Sequence, residues 1–217
     1  RKTRFDRDEE ERAGRETAEW QQRGPYHLGL IAYNNTGYQN LLKLSSRAFL
    51  EGFYVKGRID HDLLSEHSEG LVVLSGCLSG EIQQAFLRGD DAFAFDTAYK
   101  LQSIVGKENF FIELQNHFIE EELQNHEKLI LLAKTIGAPI VATCDSHYTC
   151  KDHAYPHDLL LCVNTRSKVD TPDRFKFSGD HFYLRSYEEM AELFPEEYLD
   201  NTMLIYEKHD LKLEFDK

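Results

Sequence analysis

No apolar run in these 217 residues approaches the about 20 residues that a membrane-spanning helix requires. The opening RKTRFDRDEEERAGRE also lacks the apolar core of a signal peptide, so a cytoplasmic protein with no membrane partner is expected. Cysteine is scarce: Cys77, Cys144, Cys150 and Cys162 include no C-x-x-C pair, which excludes a disulfide scaffold and leaves free thiols or metal ligands. Positive charge is short as well. With 25 Lys plus Arg against 38 Asp plus Glu the formal charge is −13, which argues against a stand-alone nucleic-acid binder except where local basic patches or bound cations reverse the sign. Several catalytic signatures are missing. GCLSG (Gly76 to Gly80) carries its serine one place too late for a nucleophile elbow. His153 and His157, spaced by four, lack the glutamate of H-E-x-x-H and are expected on a solvated face. Gly52, Gly57 and Arg58 are followed by no Lys-Ser/Thr pair, so there is no phosphate-cradling loop. No internal repeat occurs, and no low-complexity tract beyond the acidic head.

What is present is a folded α/β pattern, since 41% hydrophobic residues suffice to bury a core. Residues 1–24 carry dense mixed charge and read as a solvated loop or a short surface helix. HLGLIAYN (His27 to Asn34) reads as a strand, followed by a turn and a helical pattern from Tyr38 to Phe49. LVVLSG (Leu71 to Gly76), NFFIELQ (Asn109 to Gln115) and PIVATCD (Pro139 to Asp145) are further strands, with helices near Gly80 to Leu87 and over Glu120 to Ile136, the latter stopped by Gly137. Continuous Val, Ile and Leu strands alternating with helices predict a parallel sheet covered on both faces, as a barrel or an open sheet. In the last third Thr171 to Asp180 reads as a loop and HFYLRS (His181 to Ser186) as a strand. Ser186 reads as a helix N-cap, and another helix is expected from about Asp200.

Parallel α/β folds build their sites where strands end. Asp145 and His147 stand two apart at the end of PIVATCD, so in extended backbone their side chains share one side. Such a pair suits half of a metal site or an acid/base pair, and a structural hydrogen bond is the alternative. Cys77 follows the LVVLSG strand, where a thiolate completes such a cluster or a buried thiol merely fills space. His27 precedes the first strand and reads as a surface or core histidine. His117, after the third strand, lines the same crevice or is an ordinary loop histidine.

Five segments in order change the weight of these readings: HLGLIAYNNTGYQNLLKLSSRAFLEGFY, GLVVLSGCLSGEI, FFIELQNH, PIVATCDSHY and PDRFKFSGDHFYL. Together they resemble the amino-terminal PHP (polymerase and histidinol phosphatase) domain of bacterial replicative DNA polymerase III alpha subunits, over residues 25–217. The resemblance implies a distorted (β/α)7 barrel of mostly parallel strands, incomplete at its amino terminus. It also implies divalent cations (zinc, manganese or magnesium) held by His27, Cys77, Asp145 and His147, with Asp145 and His147 also catalytic. In a parallel sheet a residue preceding a strand stands at the wrong end, so His27 demands a shifted strand boundary.

The family's H-x-H-x-x-x-x-D motif, a later D-H, a glutamate and the polymerase palm do not occur in these residues. Since the sequence opens at Arg1 within a charged stretch, it is expected to be part of a longer protein, inactive alone. The implied chemistry is metal-dependent 3′ to 5′ exonuclease proofreading. The implied partners are DNA, a sliding clamp and a separate proofreading subunit. The alternative is a non-catalytic module that braces the polymerase and docks that subunit, although the intact D-x-H favours the enzyme. A free-standing phosphatase of the histidinol phosphate type is disfavoured by the EGFY and PDRFKF segments.

Overall fold

The structure, a computed structural model, describes residues 25–213; the charged segment 1–24 lies outside the described residues. In chain order these are β1 (Gly29–Ala32), α1 (Asn35–Leu50), α2 (His61–Glu66), β2 (Leu71–Leu74), α3 (Glu81–Leu87), α4 (Asp91–Val105), β3 (Phe110–Leu114), α5 (Glu120–Ile136), β4 (Ile140–Ala142), α6 (Ala154–Thr165), α7 (Tyr187–Ala191) and α8 (Glu196–Tyr206). The boundaries follow local chemistry. Asn34 caps α1 by accepting from the Gly37 N–H at 2.8 Å. Gly137, with φ of 64°, ends α5 in the left-handed conformation that Gly adopts without strain. Ser186 and Glu189 form a reciprocal capping box on α7. Helix α8 starts at Glu196 rather than near Asp200. Pro195 suits a helix entry, where its missing N–H costs nothing, and Glu196 and Glu197 favour the positive end of the helix dipole.

The four strands lie in the order β1-β2-β3-β4. β2, β3 and β4 are parallel, but β1 runs antiparallel to β2, with Gly29 opposite Leu74 and Ala32 opposite Leu71. The α/β class and the mostly parallel sheet match expectation. Among the described residues the sheet is an open arc of four strands. The expected strand over His181 to Ser186 is replaced by a single bridge, Tyr148 to Tyr183. Its main chain instead serves the 147–148 loop: the Phe182 carbonyl accepts from His147 N–H at 2.8 Å and from Tyr148 N–H at 3.2 Å.

Successive strand residues face opposite sides. Leu71, Val73, Phe110, Ile112, Leu114, Ile140 and Ala142 join the larger core cluster, whereas Val72, Phe111 and Val141 form a smaller one on the other face. Glu113 shares the parity of Phe111 and therefore that second face.

The direction of β1 has a local cause. The passage through α1 and α2 re-enters the sheet beside the point where it left, because the Tyr33 N–H donates to the Gly70 carbonyl at 3.0 Å. A Cβ on Gly37 would collide with the Gly70 carbonyl oxygen, and Gly70 itself has a φ of +77°. Two glycines thus permit the backbone contact that turns the chain back. Gly37→Ala is expected to cost about 2–3 kcal/mol in urea unfolding. Gly89→Ala, at a φ of +73° with nothing within 4 Å of its Cβ, should cost only about 1 kcal/mol. Equal losses would contradict this account of the turn.

Candidate metal centre at the strand ends

His27 and Cys77 meet because β1 is antiparallel to β2. The residue before β1 then stands at the same end as the residue after β2, so the reversed strand, and not a shifted boundary, accounts for His27. The His27 N–H donates to the Ser79 carbonyl at 3.1 Å, and His27 makes a parallel bridge with Gly80. Cys77 Sγ lies 3.5 Å from His27 Nδ1. The loop is tight at both ends of the cysteine: Gly76 has a φ of +93°, and the Gly80 N–H donates to the Cys77 carbonyl at 2.7 Å.

Burial raises the Cys77 thiol above its ordinary value; the Ser79 main chain opposes this, and the charges of Asp145 and Glu113 add to it. Asp145 and Glu113 are therefore electrostatic neighbours of Cys77, at the ends of β4 and β3. Glu113 is not among the residues that strand-end spacing singles out. Its signal was there: one carboxylate in FFIEL, a strand otherwise wholly apolar and buried along its length. Glu113 Oε1 accepts from Thr143 Oγ1 at 2.6 Å and from Gln115 Nε2 at 3.2 Å. Burial still holds its carboxyl above the usual carboxylate range, with Asp145 pushing the same way.

Asp145 and His147 do not sit in extended backbone. β4 ends at Ala142, and Asp145 takes a left-handed φ of 42°. The two residues are joined differently: His147 Nδ1 lies 2.8 Å from the Asp145 carbonyl oxygen. A carbonyl only accepts, so Nδ1 carries the proton and Nε2 keeps its lone pair, the arrangement common among metal-binding histidines. The His147 ring stands 4.5 Å from Phe177, 5.6 Å from Phe182 and 6.0 Å from His157. His157 is thus turned toward this loop rather than set on a solvated face, whereas His153 is exposed.

His117 is committed elsewhere. Its Nδ1 is 2.9 Å from Glu122 Oε1 and its Nε2 is 2.9 Å from the Cys144 carbonyl, while Glu122 Oε2 accepts the His117 main-chain N–H at 2.8 Å. Burial would lower this imidazole's pKa, but Glu122, the Cys144 carbonyl and the Asp145 charge outweigh it and hold it above the ordinary value. Both nitrogens donate, so the ring is an imidazolium with no lone pair for a cation.

The donors therefore gather as a sulfur and imidazole pair with two carboxylates acting on it, plus an imidazole of fixed tautomer two residues from one carboxylate. Among the described residues no group of three or more His, Cys, Asp or Glu side chains is arranged to hold one ion. The mix of sulfur, nitrogen and oxygen donors suits a borderline ion such as zinc at the thiol and harder ions at the carboxylates.

Comparison with known proteins shows which family the chain resembles over most of its length. The PHP domain profile matches residues 6–117, a span that holds His27, Cys77 and Glu113. The chain is 42% identical over 190 residues to the DNA polymerase III subunit alpha of Treponema pallidum, covering 87% of this chain and 16% of that protein. It is 43% identical over 195 residues to that of Thermus aquaticus, covering 88% and 16%, and 41% identical over 209 residues to that of Deinococcus radiodurans, covering 93% and 15%. The chain thus spans about 16% of the length of these relatives.

A pH test follows from His117. Its folded pKa is raised above the ordinary 6.5, so its contribution to stability is full below that value and is lost as pH rises through the folded pKa. Urea unfolding should show wild-type stability falling on this limb. Glu122→Gln should flatten the fall and cost about 3 kcal/mol on the acidic side. An unchanged slope in Glu122→Gln would contradict the imidazolium assignment.

Proposed function

Because this chain belongs to the PHP domain family, we propose that its site hydrolyses phosphodiesters with divalent cations, as a 3′ to 5′ exonuclease within a bacterial DNA polymerase III alpha subunit. The setting proposed is DNA replication in the cytoplasm, with DNA and a sliding clamp as partners of the whole polymerase. Polymerisation itself is not assigned to these residues, which include no polymerase palm.

One observation carries the reading: Cys77, Glu113 and Asp145 each stand at the end of a neighbouring strand, where burial first and the charge of Asp145 with it raise the proton affinity of Cys77 and Glu113, and His27 touches the thiol. Acidic groups crowded in this way are relieved when cations replace their protons. His27, Cys77, Asp145 and His147 would hold the ions, and Glu113 joins them as a buried carboxyl that holds its proton more tightly than an ordinary one. Bound cations polarise the phosphoryl oxygen, activate a water and stabilise the leaving oxygen. The chain's own part is positional. The Asp145 carbonyl keeps the proton on His147 Nδ1 and so keeps Nε2 available, while the imidazolium of His117 anchors the Cys144 carbonyl beside Asp145.

A second reading has one observation in its favour. Among the described residues no three donors converge on one point, as fits a non-catalytic brace that docks a separate proofreading subunit.

Degradation of a labelled mismatched primer by the intact protein, with no separate proofreading subunit present, distinguishes the two. Asp145→Asn keeps shape and removes charge, so metal-dependent degradation should fall about a hundredfold or more while synthesis survives. Equal degradation by wild type and variant would remove the catalytic reading.

A further inference from the structure

Beside the Asp145 to His147 loop an aromatic ladder leads from the interior to the surface. Phe182 is buried, and its ring is stacked on His117 at 4.1 Å. Phe177 stands 4.6 Å from Phe182 and 4.5 Å from His147. Phe175 stands 5.8 Å from Phe177 and is 62% exposed. A single exposed phenylalanine needs no explanation. A continuous run of rings that starts against the candidate site and ends in solvent does.

The outer rings are held rather than loose. Arg174, the residue before Phe175, grips Asp158 of α6 with both terminal guanidinium nitrogens, Nη1 to Oδ1 at 2.6 Å and Nη2 to Oδ2 at 2.5 Å. Its Nε also donates to the Val169 carbonyl at 3.1 Å. Such a fork is geometrically specific and ties down the main chain just before Phe175, which lowers the ordering that a ligand must impose.

We infer that the exposed ring of Phe175, backed edge-on by Phe177, forms a stacking platform for the unpaired terminal base of single-stranded DNA, delivering the last phosphodiester to the Asp145 to His147 loop. The inference rests on the hydrolytic reading of that loop and adds how its substrate is held. A formal charge of −13 opposes contacts to phosphates, so the base faces are what this ring can hold, and stacking on an aromatic ring tolerates any sequence. Duplex ends keep their bases stacked on each other and offer little to the platform, so a mismatched, frayed terminus is selected.

The test is fluorescence anisotropy of the full 217-residue chain with a short labelled oligodeoxythymidylate, in chelator so that no hydrolysis occurs. Phe175→Ala should weaken binding about tenfold. Phe175→Trp, which keeps a π face, should bind at least as tightly as wild type. Phe175→Leu, which keeps bulk alone, should resemble Phe175→Ala. Because salt screens the repulsion between the acidic chain and the phosphates, the affinity should hold or rise with salt rather than fall. Wild-type affinity in Phe175→Leu, no binding by wild type, or a steep fall with salt unaffected by Phe175→Ala would each overturn the platform. The primer assay separates the two readings. Phe175-dependent binding without Asp145-dependent degradation supports the platform and removes the nuclease; degradation that depends on Asp145 without binding that depends on Phe175 removes the platform alone.

Discussion

The loop that carries Asp145 and His147 hangs from one buried ring. His117 binds Glu122 through Nδ1 and the Cys144 carbonyl through Nε2, and its face lies on Phe182. Cys144 precedes Asp145, and the Phe182 carbonyl receives the N–H groups of His147 and Tyr148. One side chain therefore fixes the main chain on both sides of the D-x-H. Leaving either ring nitrogen unpaired in this buried position would cost about 1–3 kcal/mol, and the loop would be released before the sheet. The Asp145 backbone, at a φ of 42°, is tolerable because this anchoring over-determines it.

The other half of the candidate centre depends on strand direction. In an all-parallel sheet His27 and Cys77 would stand at opposite ends of their strands. The return of the chain at Gly70, against Gly37, reverses β1 and brings the imidazole to the thiol. A packing contact between two glycines thus brings His27 to the end of the sheet where Cys77, Glu113 and Asp145 already meet, because β2, β3 and β4 run parallel.

What could be read from the sequence was whatever local chemistry specifies. Helix α5 runs over the expected Glu120–Ile136 because its apolar spacing and Gly137 agree, and Ser186 caps α7 because Glu189 answers it. The pairing of Asp145 with His147 was also visible, though not its geometry, since the alternation of an extended strand stops at Ala142. The direction of β1 was hidden, because apolar periodicity is the same for either orientation. The segment His181 to Ser186 has strand-like residues but gives its hydrogen bonds to a loop. Glu113 was overlooked because one carboxylate in an apolar strand carries no periodic signal, and His117 could not be told from a ligand until both of its nitrogens were seen occupied.

The central claim is that Cys77 binds a cation at the strand ends. Its most direct test is the near-ultraviolet charge-transfer absorption of a thiolate bound to cobalt(II), which substitutes for zinc at sulfur-containing sites. The account predicts this band on adding cobalt(II) to the chain, its loss in Cys77→Ser, and its survival in Cys150→Ser, whose thiol is exposed. A band that survives Cys77→Ser, or cobalt binding with no thiolate band at all, would contradict the account.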